Sequence, residues 1–214
     1  MAGRVTILYD NMAFEEGMAE DWGFSCLVEA GETRMLFDTG ARGDLLLRNM
    51  QWLGIDPVSI DAVFISHPHF DHTGGLDDYL RVNPCRVYIP PCCRAPARAS
   101  EVVRVSSQCR LEGDFFSTGE LSGIEQALVV KSGQDNTALV VGCCHPGLEG
   151  FLERAGSFGP VRFLVGGLHA FSHFELLKEI ATVCPTHCTR YRDEIRSLYP
   201  GAFEQGGAGR VLML

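Results

Sequence analysis

Residues 66–76 read Ser-His-Pro-His-Phe-Asp-His-Thr-Gly-Gly-Leu, directly after the apolar run Ala62-Val63-Phe64-Ile65. His67, His69, Asp71 and His72 therefore lie within six residues, at the point where a buried strand is expected to end. A loop there can turn all four side chains toward one place. Imidazole nitrogens with a carboxylate oxygen suit zinc, iron or manganese, and pairs of them can be divided between two neighbouring ions. A surface cluster of histidines is the competing reading.

The rest of the chain reads as short apolar runs alternating with helical patterns. Strands are expected over 4–9, 24–28 and 34–37, the last two forming a hairpin across Ala30-Gly31-Glu32. Leu46, Met50 and Leu53 give a helix that Gly54 stops. Strands over 62–66 and 86–89 bracket a short helix from about Leu76, and short strands are expected across roughly 95–125. Further strands are expected over 138–141 and 161–165, with a helix over about 147–154 between them. Ser172 and Glu175 form a capping box, which predicts a helix through Val183. A last helix over about 189–198 and a strand over 210–214 complete the reading. Hairpins first and alternation afterwards point to an α/β layered domain spanning 1–214, with polar clusters just after strand ends.

Composition narrows the function. A net charge of −9 argues against a general nucleic-acid binder. No apolar stretch approaches the ~18 residues of a membrane span, and the run 5–9 is too short for a signal-peptide core. The cysteines number nine, with two adjacent pairs, which suits no ordinary disulfide framework. A reducing cytoplasm is the expected location. The expected partner is a small-molecule substrate, with neither nucleic acid nor membrane; the oligomeric state is not legible.

The sequence Ser-His-x-His-x-Asp-His-x-Gly-Gly-Leu resembles the metal motif of the metallo-β-lactamase superfamily, and Leu36-Phe37-Asp38-Thr39-Gly40 resembles its strand-ending Asp-Thr-Gly. More closely, the chain is similar to the 7,8-dihydropterin-6-methyl-4-(β-D-ribofuranosyl)aminobenzene 5′-phosphate synthase-like branch. The matching pieces include Tyr9-Asp10-Asn11, Gly142-Cys143-Cys144-His145-Pro146-Gly147, Gly166-Gly167-Leu168-His169 and Pro185-Thr186-His187-Cys188-Thr189. The resemblance implies an αββα metallo-β-lactamase-type sandwich with its metal site at one edge of the two sheets. It also implies that His145 and His187 join the loop as ligands. Asp38 is expected to accept an imidazole N–H or to meet substrate. His169 is expected in the pocket as a ligand, a substrate contact or a supporting group. His173 is expected to be solvated. Many relatives supply a bridging aspartate at the strand end that here reads Gly142-Cys143-Cys144-His145, so the second metal position is expected to be the weaker one. Cys143, Cys144 and Cys188 are open as thiolate ligands or structural thiols.

The expected arrangement is one ion on His67, His69 and His145, and a second on Asp71, His72 and His187. Zinc is the expected metal, one or two per chain, with iron or manganese as alternatives. A metal-bound hydroxide would then attack a small, anionic ester, lactone or phosphodiester, with Asp71 as the catalytic carboxylate. Arg94, Arg98, Arg104 and Arg110 are candidate holders of the anionic group. The alternatives are a pterin-related synthase or transferase, a mononuclear iron dioxygenase, and a non-catalytic metal-binding module.

Overall fold

Strand residues in this chain alternate between two kinds of core, because each sheet is covered on both faces. In the second strand Cys26 and Val28 point into the space between the sheets while Leu27 points outward to helices. In the strand before Gly142, Ala138 and Val140 face inward while Leu139 and Val141 face the other helix layer. Two-sided burial of this sort explains the nearly continuous apolar runs. The computed structural model describes residues 3–133 and 135–214.

The first half contains β1 (Arg4–Tyr9), β2 (Ser25–Ala30), β3 (Thr33–Phe37), α1 (Gly43–Trp52), β4 (Ala62–Phe64), the single turn α2 (Phe70–Thr73), α3 (Leu76–Val82), β5 (Arg86–Ile89) and β6 (Glu101–Arg104). The second half contains β7 (Cys109–Arg110), β8 (Phe115–Ser117), β9 (Leu128–Ser132), β10 (Asn136–Val141), α4 (Leu148–Gly156), β11 (Val161–Gly167), β12 (Thr182–Thr186), α5 (Arg192–Leu198) and β13 (Val211–Met213). A 7-stranded sheet runs β13-β1-β2-β3-β4-β5-β6, and a 6-stranded sheet runs β12-β11-β10-β9-β8-β7. The sheets enclose an apolar layer built around Phe24, Phe37, Phe64 and Phe115. α1 and α3 cover the first sheet through Leu46, Met50, Tyr79 and Leu80. α4 and α5 cover the second through Leu148, Phe151 and Ile195. The result is the expected αββα sandwich. No helix among the described residues is long and apolar enough to cross a membrane.

The expected helix from Ser172 to Val183 is a correction. Only a 3-10 turn forms, Phe174–Leu177, and Thr182–Thr186 is strand β12, paired in parallel with β11. The β-branched pair Thr182-Val183 before Pro185 fits the sheet, and this tertiary pairing overrides the capping pattern. His187 accordingly follows a strand rather than a helix. The last helix starts later than expected, at Arg192.

Candidate metal centre

β4 and the tight turn after it deliver the first ligand candidates. His67 is fully buried three residues past the end of β4, His69 occupies the N-cap position of α2, and Asp71 and His72 lie within α2 itself. The turn Asp38-Thr39-Gly40 after β3 pins this segment. The Thr39 N–H and hydroxyl both donate to the His72 carbonyl, at 2.8 and 3.0 Å. The second sheet supplies His145, beyond β10, and His187, beyond β12. Gly142 is required where the sheets meet: a Cβ there would collide with Ser66 Oγ beside the His67 ring.

Two groups of donors result. His69 Nδ1 lies 3.1 Å from His67 Nε2 and 3.2 Å from His145 Nε2. Asp71 Oδ2 lies 3.1 Å from His187 Nε2 and 3.8 Å from His72 Nε2. The six side chains named from the sequence thus meet as His67–His69–His145 and Asp71–His72–His187.

The surrounding hydrogen bonds assign the ring protons. Asp38 Oδ2 receives the Ser66 hydroxyl at 2.6 Å and His72 Nδ1 at 2.7 Å, while Oδ1 receives the Ser66 N–H at 2.7 Å. Ser66 has donated its proton, so at 2.8 Å it accepts from His67 Nδ1. Asn11 Nδ2 donates to the His187 carbonyl, which leaves Asn11 Oδ1 to accept from His187 Nδ1 at 2.9 Å. In each of these rings Nδ1 carries the proton, and Nε2 points a bare lone pair at the centre. Lone pairs facing one another, and facing a carboxylate, are unfavourable unless a cation or shared protons lie between them. Burial favours the neutral imidazole at three positions: it holds His67 and His72 below the usual imidazole range and His145 down to about 4. Burial also pushes the Asp38 carboxyl up, and the two Ser66 hydrogen bonds pull it back. The donor set therefore fits a transition-metal ion at each group.

Backbone strain concentrates at the same strand ends. Asp38, Cys144, His169 and His187 all have φ between 47° and 62°, the left-handed region that costs a non-glycine residue free energy.

The fold is that of the metallo-β-lactamase superfamily. The model of that superfamily matches residues 23–91, the stretch that carries the Asp38 turn and the histidine cluster. The fold agrees across the whole chain with a solved metal-dependent hydrolase of the β-lactamase superfamily, at 25% identity, a TM-score of 0.82 and 99% coverage of both chains. A diphosphatase from the PhnP family shares the fold at 17% identity and a TM-score of 0.65, over 99% of this chain and 98% of that one. The 7,8-dihydropterin-6-methyl-4-(β-D-ribofuranosyl)-aminobenzene-5′-phosphate synthase of Methanocaldococcus jannaschii is 40% identical over 75 residues. That match covers 33% of this chain and 26% of the synthase.

Within this superfamily fold the remaining candidates fall as follows. The His169 ring sits 5.1 Å from the His145 ring and lines a cleft of about 290 Å³ with Leu168, Phe171 and Ser172. His173 is exposed and pairs with Glu149. Cys144 turns away into the core under α4. Cys143 faces the centre, with Sγ 3.2 Å from His72 Nε2 and 3.3 Å from Cys188 Sγ. Of the arginines named from the sequence, Arg98 is engaged by Asp77, Arg104 by the Pro91 and Cys93 carbonyls, and Arg110 by the Gly113 carbonyl. Arg94 borders a pocket with Thr73 and Asp77. Closer to the centre, Arg190, Arg192 and Arg196 line a pocket of about 390 Å³ that opens onto His187.

Three further residues support the site. The exposed Trp22 donates its indole N–H to Asp71 Oδ2 at 2.9 Å. Asp10 Oδ1 receives the His187 N–H at 2.8 Å. Glu125 is buried behind the turn after β10. Its Oε1 accepts from Gly142, Cys143 and Cys144 N–H at 3.0–3.1 Å, and its Oε2 from His145 N–H at 2.7 Å. Asp10 and Asn11 could have been suspected from the matched Tyr9-Asp10-Asn11 piece, but Glu125 and Trp22 could not.

Proposed function

We propose that this protein is a metal-dependent hydrolase of a small anionic ester, lactone or phosphodiester. The observation that carries the reading is the pair of donor triads, His67–His69–His145 and Asp71–His72–His187, sharing one face at the sheet edge with their lone pairs directed inward. Full-length similarity to a metal-dependent hydrolase supports the class. Held by these six side chains, zinc, iron or manganese would supply Lewis acidity toward the scissile group and would make water a better nucleophile near neutral pH.

The chain's own residues do the rest. Asp38 and Asn11 fix the tautomers of His67, His72 and His187, so that each presents Nε2. Trp22 holds Asp71 Oδ2, and Asp71 takes the proton of the attacking water and returns it to the leaving group. The cleft beside His169 receives the substrate body. Arg190 and Arg192, in the pocket next to His187, attract its negative charge.

A panel of small esters, lactones and phosphodiesters, assayed separately with zinc, manganese and iron, tests this. Turnover should vanish on chelation, return on reloading, and be abolished by Asp71→Ala. Activity that survives chelation would overturn the reading. Silence across the panel in metal-loaded protein would favour group transfer of the synthase type, the reading that the partial match to the Methanocaldococcus jannaschii protein keeps alive.

A further inference from the structure

The site lacks a carboxylate at the turn after β10, yet something is placed there. Cys143 Sγ lies within reach of His67 and His72 on one side and of His187 and Cys188 on the other, so it sits between the two triads. The positive φ of Cys144, 62°, sends the neighbouring thiol into the helix layer and leaves Cys143 alone to face the centre. Its nearest partner is His72 Nε2 at 3.2 Å, an atom whose lone pair is bare because Nδ1 is bound to Asp38. Space is also kept for the second sulfur: a Cβ on Gly167 would stand 2.7 Å from Cys188 Sγ. Two sulfurs 3.3 Å apart thus border the Asp71–His72–His187 group, while the three side chains of the His67–His69–His145 group are all imidazoles.

We propose that Cys143 and Cys188 are thiolate ligands of the second metal position, with Cys143 standing between the two triads, so that this position takes thiophilic zinc, cobalt or cadmium in preference to manganese. The inference rests on the metal reading above and deepens it. On binding, each thiol forms a sulfur–metal bond and releases one proton to solvent; no electron is transferred. Thiolate is the soft donor that selects such ions, while manganese favours oxygen. A mixed nitrogen–oxygen–sulfur position beside an all-nitrogen one also gives the two positions unequal affinities.

The test is cobalt(II) titration of the full chain, kept reduced with a phosphine, read by absorption and by metal content after dialysis. Wild-type protein should bind two cobalt ions, and a near-ultraviolet thiolate-to-cobalt charge-transfer band should grow with sulfur-coordinated occupancy. Cys143→Ser should lose the second ion and most of the band. Cys188→Ser should weaken the band, and Cys144→Ser should leave it unchanged. Cys143→Asp should restore two-ion binding with a weaker band and admit manganese, which also shows that loss in the serine variant is not misfolding. Two bound cobalt ions without a sulfur band, or a band unchanged in Cys143→Ser, overturns this inference and leaves the hydrolase reading standing. No cobalt bound at all overturns both.

Discussion

Glu125 offers the sharpest test of how the site is built, because one carboxylate serves four consecutive N–H groups. The perturbation is Glu125→Ala, with Glu125→Gln beside it. The four N–H groups of residues 142–145 are oriented toward the carboxylate and shielded by the core. Each buried donor left without a partner costs about 1–3 kcal/mol. Water entering the vacated space recovers part of this. The wild-type carboxylate also bears its own desolvation, which pushes its pKa up to about 7. The net loss for alanine is therefore roughly 3 kcal/mol, toward the low end of the range for breaking a buried charge partnership. Glutamine keeps an oxygen for the three donors on Oε1 but turns an amide NH₂ toward the His145 N–H, so it should lose about 1–2 kcal/mol. At ~2–4 °C per kcal/mol for a chain of this size, alanine should lower Tm by about 6–12 °C. Urea unfolding of the metal-free protein measures the stability. Competition with a chromophoric chelator measures metal affinity, which should fall most for the group containing His145. A Glu125→Ala protein within 1 kcal/mol of wild type, or one that is destabilised yet binds metal unchanged, would refute the reasoning.

Two further outcomes follow from the same geometry. Asp38→Asn tolerates the left-handed backbone but removes the charge that fixes His72 Nδ1 and, through Ser66, His67; metal affinity by chelator competition should fall ~10–100-fold, and an unchanged affinity would remove Asp38 from its supporting role. Burial depresses His67 and His72 and brings His145 down to about 4, while the unfolded chain protonates these rings near ~6.5. Between those values the unfolded state binds more protons, so the metal-free protein should lose stability as pH falls from about 6.5 through about 4. A Tm flat across that window, after correction for carboxylate titration in a His145→Ala control, contradicts the assignment.

Much of the first half was legible because its signals are local. The hairpin 24–37, the α1 periodicity and the cluster after β4 each declare themselves within a few residues. Of the six ligand candidates, the four in the loop are legible from their spacing, whereas His145 and His187 come from the resemblance, and the strand end that carries His187 reads locally as the end of a helix. What failed was competition between local signals. Ser172 and Glu175 announce a helix start, but nothing in one sequence tells that Thr182–Thr186 will find a parallel partner in β11. β9, Leu128–Ser132, drew no expectation although Leu-Val-Val reads as strand, because the ambiguous region before it blurred the boundary. Glu125 was invisible for a different reason: its partners are backbone N–H groups, which carry no residue identity. Asp10 also meets a backbone N–H, that of His187, but it stands within the quoted Tyr9-Asp10-Asn11 piece.

The two triads have a common topology. His67, His69, Asp71 and His72 follow a strand of one sheet, and His145 and His187 follow strands of the other. Contacts across the centre join residues 76 and 116 positions apart in sequence. A bound ion is therefore a rivet between two layers. Closing loops on the order of 100 residues is where a cross-link removes the most freedom from the unfolded chain. The binding pocket and the seam of the sandwich are one place, so occupancy of the pocket and cohesion of the sheets are a single equilibrium viewed from two sides.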